Sequence, residues 1–571
     1  MRSKLVIMMF SSVVLCLFLL YRLTFGLPDR RPLTPLREAG KRGAVSSLDR
    51  RCSAIGVDVL DKGGNAADAA IAAEFCLGVV GFHLTGIGGG GFVLVRSANG
   101  TYDFIDFRET APAASFETMF DGNINASISG GLASAIPGEV KGLFEIHRKY
   151  GRLAWEKLLE PSIKLARDGF VIGKDLGFYM DTVLADEVVL GSSWAPDFAP
   201  AGKRLKTGDR VTRKRYAKVL KSIAERGPDA FYTGSVARAI VEALEKEGGI
   251  MTLQDLARYK VSYRHPTSID YRDFRITSSG APSGGSIVLK ILKTMAGYGD
   301  VGNPAFLNIT THRLDEAMRF AYGARTKLGD PTFVEGLYAY QEAMLSEEAA
   351  AETRSKIRDD TTLPVEAYNP DGFESFETPG TSHISAADAS GLAISLTGTI
   401  NLVFGSQLMV PENGILMNNE MNDFSLPNSS DAFGYIPSPA NYIQPGKRPM
   451  SSMSPVIVEF LSNNTLYLVT GGAGGSRIIT ATALSLWNVL DRGMSLLQAV
   501  EEPRFHDQLV PNQVVFESAF DRGRIAFLEE RGHIAGSLEH GSDLQMVRQH
   551  SNGKFEAASE TRQQDSGGLV S

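Results

Sequence analysis

The chain reads as an α/β (α+β) protein, layered, with sheets that are largely antiparallel. Three observations carry that reading. After Thr381 the texture turns β-rich, in runs at 383–388, 392–404, 455–461 and 465–470. Blocks of helical periodicity lie on both sides, at 153–166, 236–247, 476–491 and 495–502. Strands and helices do not alternate one for one, which argues against a parallel βαβ sheet. With 571 residues, 43% hydrophobic and 22% charged, the chain has an ordinary globular composition and can bury a large core.

Taken in order, residues 5–21 form an uncharged, almost wholly apolar run, with Arg2 and Lys4 before it and Arg22 after it. We read 1–4 as a cytoplasmic tail and 5–21 as a single transmembrane signal-anchor, at the short end of a membrane span. A cleavable signal is the alternative, because Thr24-Phe25-Gly26 offers small residues, but no Ala-x-Ala-like site follows the run. Residues 22–40, rich in Pro and Arg, read as a stalk. The basic residues of this stalk favour the opposite orientation by the positive-inside rule. Five Asn-x-Ser/Thr sequons, at Asn99, Asn125, Asn308, Asn428 and Asn463, favour a lumenal and finally extracellular body, hence a type II plasma-membrane protein.

Residues 52–80 read as helical and rich in small residues, and 92–107 as a hairpin turning at Ala98-Asn99-Gly100. That hairpin ends at Arg108-Glu109, where a cation at a strand exit suits anion binding. The stretch 137–300 reads as mostly helical, and 325–380 as polar, punctuated at its end by Pro379-Gly380. Three cysteines leave Cys52 and Cys76 as the only possible soluble pair, since Cys16 lies in the apolar run. No Cys-x-x-Cys or His-Glu-x-x-His occurs and the nine histidines are scattered, so no metal site and no cofactor are expected. A net charge of -7 makes nucleic acid an unsuitable partner.

Two glycine loops invite functional readings. Gly86-Ile87-Gly88-Gly89-Gly90-Gly91 formally matches a dinucleotide fingerprint, but a strand rather than a helix follows it, so that reading fails. Gly471 to Ser476 runs from a strand into a helix, a backbone nest suited to an oxyanion. Between them lies the most telling stretch. Gly380 precedes Thr381, and two β-rich runs hinged at Asp388-Ala389-Ser390-Gly391 could fold Thr397-Gly398-Thr399 back beside it. A threonine hydroxyl needs a base, and a chain-terminal threonine supplies its own α-amine. An unperturbed α-amine has a pKa of about 8, near the operating pH.

Thr381-Ser382-His383-x-Ser385, Gly391, Ser395, Thr397-x-Thr399-Ile400-Asn401 and Phe404-Gly405 resemble the catalytic signature of the γ-glutamyltransferases, membrane-anchored N-terminal-nucleophile hydrolases. The resemblance runs through Gly63-Gly64-Asn65-Ala66, Arg108-Glu109-Thr110-Ala111-Pro112, Asn418-Asn419-Glu420-Met421-Asn422-Asp423-Phe424, Gln444-Pro445-Gly446-Lys447, Ser451-Ser452-Met453 and Gly474-Gly475. It covers roughly residues 40–571. It implies a four-layer αββα sandwich and self-cleavage between Gly380 and Thr381. The products would be a heavy subunit, 41–380, and a light catalytic subunit, 381–571, held together as a heterodimer. Thr381 would then attack the γ-glutamyl amide of glutathione and related compounds. An amino acid, a dipeptide or water would accept the group.

By the same resemblance, Thr399 would hydrogen-bond the nucleophile, and the N–H groups of Gly474 and Gly475 would form the oxyanion hole. Arg108, helped by Ser451 and Ser452, would take the substrate carboxylate, while Asn401, Glu420 and Asp423 would take its ammonium. Cys52 and Cys76 would form the heavy-subunit disulfide. Two positions depart from the pattern. Leu392 stands where Ser or Asn is usual, and Val403 where animal relatives often carry tyrosine. The alternative readings are a related amidase, such as a β-lactam side-chain acylase, and an uncut membrane-displayed binding protein.

Overall fold

The hairpin opened by Thr381 is the centre of the molecule's larger sheet. In the computed structural model, which describes residues 40–374, 380–427, 436–538 and 541–571, seven antiparallel strands lie side by side. Their order is Gly567–Val570, Gly43–Ser47, Ser382–Asp388, Ala393–Thr399, Gly90–Arg96, Tyr102–Asp106 and Ser262–Arg264. The apolar run 5–21, the stalk up to residue 39 and the sequon at Asn428 lie outside the described residues. Among the described residues no helix is long and apolar enough to cross a membrane.

A second sheet of six antiparallel strands runs Phe555–Ser559, Asp543–Gln549, Leu466–Ala473, Val456–Phe460, Phe274–Ser278 and Thr267–Tyr271. The two sheets face each other across Ala44, Phe92, Leu94, Phe104, Ile457, Val469 and Val547. Each large apolar side chain buried there contributes about 1.5–3 kcal/mol. The outer face of the first sheet packs on Arg50–Asp61 and Ala66–Val80, with Trp155–Asp168 and Lys214–Arg226 packed behind them. That of the second packs on Gly285–Ala296, Leu307–Arg325 and Arg477–Leu490. The layers therefore stack helix, sheet, sheet, helix.

Several expected elements shift for physical reasons. The helical stretch 52–80 is two helices, because Gly63 (φ +92°) ends the first and an Asn65–Asp68 capping box starts the second. Cys52 and Cys76 lie one on each helix and are joined as a disulfide. Closing a loop with a sequence separation of 24 stabilises by about 3–4 kcal/mol through the unfolded chain. The stretch 137–300 is not helical throughout: Ser262–Arg264, Thr267–Tyr271 and Phe274–Ser278 are strands. The polar stretch 325–374 holds the helices Leu337–Met344, Glu347–Lys356 and Val365–Tyr368. The strand expected at 392–404 stops at Thr399, because Asn401 and Phe404 take positive φ and turn the chain away.

Candidate active site

Strand register brings the sequence-predicted nucleophile and its partner together. Ser382 pairs with Gly398, so Thr381 and Thr399 meet at the open end of the hairpin. The chain is continuous from Gly380 to Thr381, and the carbonyl of Gly380 accepts from both hydroxyls. Thr381 Oγ1 donates at 2.5 Å and Thr399 Oγ1 at 2.8 Å. Thr399 thus reaches the carbonyl rather than the Thr381 hydroxyl, because in the uncut chain the carbonyl stands between them. Gly380 has φ +136°, and a Cβ there would lie 2.3 Å from the Asn401 carbonyl oxygen, so only glycine fits. Thr381 is 5% exposed.

Thr399 leads to the charged part of the site. Its Oγ1 accepts from Asn401 N at 2.8 Å, and Asn401 Nδ2 donates to Asn419 O at 3.0 Å. The next residues form the 3₁₀ turn Glu420–Asp423, and both of its carboxylates meet one guanidinium. Arg108 Nη2 lies 2.5 Å from Glu420 Oε1 and also contacts Asp423 Oδ2. Arg108 is held from behind: its N–H donates to Asp106 Oδ1 and its carbonyl accepts from the Tyr259 hydroxyl at 2.8 Å. Burial pushes Glu420 well above the ordinary carboxyl range, with Arg108 opposing and the neighbouring Glu109 and Asp423 adding to the shift. Burial likewise lifts Glu109 to about 7, although Arg108 pulls it down. Three carboxyls thus face one guanidinium, so carboxyl groups outnumber cations in this cluster.

On the other sheet, the strand Leu466–Ala473 includes Gly471 and Gly472, which the sequence reading had placed in the loop. They pair with Gln545 and Leu544, so the turn shrinks to Gly474, Gly475 and Ser476 before the helix Arg477–Leu490. Gly474 and Gly475 have φ +118° and +66°. Gly471 is needed for another reason: a Cβ there would lie 2.3 Å from the imidazole of His383. That ring fills the space between the sheets, with Nδ1 bonded to Thr397 Oγ1 at 2.8 Å, and burial lowers its pKa to about 3. It is neutral and structural, two residues from Thr381.

Ser452 and Ser476 are both tied to the helix Leu307–Arg325. Arg325 donates to Ser452 Oγ at 3.1 Å, and the Tyr322 hydroxyl donates to Ser476 O at 2.5 Å. Ser451 Oγ accepts from Met453 N. Asn441 Nδ2 donates to the carbonyl of Asp423, which ties that segment to the acidic turn. Leu392 is buried in the core and Val403 packs half-buried beside it. Sequons Asn99, Asn125, Asn308 and Asn463 are all exposed. A cavity of about 590 Å³ opens elsewhere, against Tyr179, Glu517, Asp543 and Arg562, and neither Thr381 nor Arg108 lines it.

The sequence reading missed Glu109 as a third carboxyl, although its place beside Arg108 was a signal. It also missed Tyr322 and Arg325, which no local pattern marks. Beneath the nucleophile strand, Glu74 and Glu139 share the Thr85 hydroxyl at 2.7 and 3.3 Å, and burial raises both, Glu74 to about 7.

The profile described as gamma-glutamyltranspeptidase matches residues 52–570. The chain belongs to this family. The glutathione hydrolase proenzyme of Arthroderma benhamiae is 49% identical over 544 residues, 93% of this chain and 93% of its own length. The glutathione hydrolase of Aspergillus flavus is 44% identical over 572 residues, 98% of this chain and 94% of its own. Among solved structures, the cephalosporin acylase from Bacillus halodurans superposes with a TM-score of 0.82 at 25% identity, over 96% of this chain and 99% of that one. The match to the γ-glutamyltranspeptidase family spans both sides of the Gly380–Thr381 bond.

Proposed function

We propose that this chain is a γ-glutamyltransferase and glutathione hydrolase that generates its own catalytic terminus. The observation that carries this reading is the convergence of the Thr381 and Thr399 hydroxyls on the Gly380 carbonyl. In the first reaction Thr381 Oγ1 bonds to the carbonyl carbon of Gly380, and the C–N bond to Thr381 breaks as its nitrogen takes a proton. The Thr399 hydroxyl stabilises the oxyanion formed on the way, a role for which one donor is worth about 2.7–4 kcal/mol. Water then cleaves the ester, leaving a carboxylate on Gly380 and a free α-amine on Thr381.

In turnover that amine accepts the proton of the Thr381 hydroxyl as Oγ1 attacks the γ-carbonyl of the donor. The Gly474 and Gly475 N–H groups serve the oxyanion, the leaving amine takes up the proton, and the γ-glutamyl ester passes to water or to an amino acid or dipeptide. Substrate choice follows from charge. A γ-glutamyl group offers a carboxylate to Arg108 and an ammonium to Glu420 and Asp423, with Asn401, Ser451 and Ser452 completing the pocket. The acylase likeness covers the same fold, but a neutral acyl group would leave this charge cluster unused. Retention of both threonines at the carbonyl disfavours the uncut binding protein.

The test is direct. Purified protein on a denaturing gel should give two chains, the smaller beginning at Thr381, and should release glutamate from glutathione. A single uncut chain with no release overturns the reading. We place the body outside the cell on the anchor 5–21, a reading supported by four exposed sequons and a disulfide. Glycosidase-sensitive mobility of surface-labelled protein checks it.

A further inference from the structure

We propose that His312, Glu316 and His533 form a buried site for a divalent transition metal, zinc being the best fit, that clamps the two portions of the chain together. His312 and Glu316 stand one turn apart on the helix Leu307–Arg325, before the Gly380–Thr381 bond. His533 follows the helix Arg522–Glu529, after that bond. His312 Nδ1 lies 2.8 Å from His533 Nε2, and Glu316 Oε1 lies 3.8 Å from that same nitrogen. The three ligand atoms all fall within 4.8 Å of one another, and all three residues are buried.

The outer contacts of the rings are ones that a bound cation would satisfy. His312 Nε2 bonds the Arg358 carbonyl at 2.6 Å, which can only accept, so the hydrogen sits on Nε2 and Nδ1 presents a lone pair. His533 Nδ1 stands 2.8 Å from Asp315 Oδ2. If His533 carries its hydrogen on Nδ1, two ring lone pairs face each other. If it carries it on Nε2, a lone pair faces the Asp315 carboxylate. Neither neutral tautomer satisfies both contacts unless Asp315 itself carries a proton, and a cation bound between His312 Nδ1 and His533 Nε2 satisfies both.

A shared proton would supply charge without using Glu316; a metal uses all three groups. Glu316 is already held as a ligand would be, accepting from the Thr362 hydroxyl at 2.7 Å and the Tyr368 hydroxyl at 2.7 Å. Such outer-shell bonds orient metal ligands, as does a carboxylate behind a histidine. The nearby Arg319 spends its Nη1 and Nη2 hydrogen bonds on Asp507 and Asn512 and acts on Asp315 only as a through-space charge. Two imidazoles and a carboxylate suit zinc. Tetrahedral bonds of about 2.0–2.1 Å need the two nitrogens roughly 3.3 Å apart, so the rings must part by about half an ångström.

The clamp sits on a helix that also serves the site. Tyr322 and Arg325, which hold Ser476 and Ser452, lie ten and thirteen residues beyond His312, about 15–20 Å along the axis. Its role between subunits rests on the self-cleavage proposed above; the metal site itself does not.

The experiment measures zinc by mass spectrometry in full-length protein expressed with added zinc, both as the cleaved form and as Thr381→Ala. We expect one zinc per chain in each, and visible ligand-field absorption when cobalt replaces zinc. His533→Ala should reduce bound metal at least tenfold, and Glu316→Gln, which keeps the side-chain volume, should weaken binding 10- to 100-fold. Chelation should lower the Tm of the cleaved form more than that of the uncut chain. Less than 0.1 zinc per chain in both forms, or zinc unaffected by His533→Ala and Glu316→Gln, overturns the proposal. Bound zinc with no cleavage would instead sink the function proposed above and leave this site standing.

Discussion

Arg108 and Arg504 are both buried guanidinium groups facing carboxylates, yet they are used differently. Arg504 spends Nη2 on the Val500 carbonyl and Glu560, each at 2.7 Å, and Nη1 on the Ser542 carbonyl. Glu560 also receives Arg562 at 2.8 Å and the backbone N–H of Leu544. Burial raises its pKa, but the two arginines outweigh burial and hold it below the ordinary range. The surplus carboxyl there, Asp543, is lifted to about 8 by burial. Arg108 turns a single nitrogen to both Glu420 and Asp423, and burial lifts Glu420 and Glu109 rather than lowering them. Where cations match a carboxylate, it stays ionised and braces the fold. Where carboxyls outnumber the cation, the cluster has room for a second cation, which is what the ammonium of the proposed substrate would bring.

The contrast is most exposed at the arginines themselves. Arg108→Gln should lower kcat/KM for a γ-glutamyl amide by about 10³-fold, roughly 4 kcal/mol. A comparable loss in Arg504→Gln, measured by the same steady-state kinetics, would erase the distinction. Arg504→Met should cost about 3–5 kcal/mol of stability in urea unfolding, since it strands Glu560, while kcat/KM per folded molecule stays within about threefold.

The two acids should also titrate with opposite sign. Glu109 has a folded pKa of about 7, above its ordinary 4.5, so its folded form binds a proton that the unfolded chain has released. Its contribution is fully present below about 4.5 and is lost as pH rises toward 7. Glu109→Gln should flatten that decline by about 1–3 kcal/mol, seen in unfolding free energies across that range. Glu560 is depressed, so its contribution is present above the ordinary value and lost as pH falls through the folded one. Glu560→Gln should therefore hurt most at neutral pH. The smallest effect is Tyr259→Phe, which removes the bond to the Arg108 carbonyl. It should cost about 0.5–1.5 kcal/mol and raise KM more than it lowers kcat.

Much of this was legible in the residues because it is local. The hairpin 382–399 shows its turn and alternation, and a two-residue strand period fixes which threonine meets which. That Arg108, Glu420 and Asp423 belong to one pocket was expected only through the family likeness, and their pairing with one another was not foreseen. The strands at 262–278 were hidden because each is three to five residues long and sits among helices. The turn at Gly474 was read too long because glycines 471 and 472 look like loop residues until His383 is seen to require the space at 471. The scattered histidines gave no sign that two of them, 221 positions apart, meet in the core.

By itself the sequence determined the layered α/β class and the threonine poised after an unobstructed glycine. These depend on backbone periods, on φ preferences and on side-chain chemistry, which act over a few residues. Only the tertiary structure decided which carboxyls share Arg108, why Gly471 has no side chain, and that His312, Glu316 and His533 converge. Those outcomes arise from burial, where removal of water makes each unpaired charge costly and forces distant groups to answer one another.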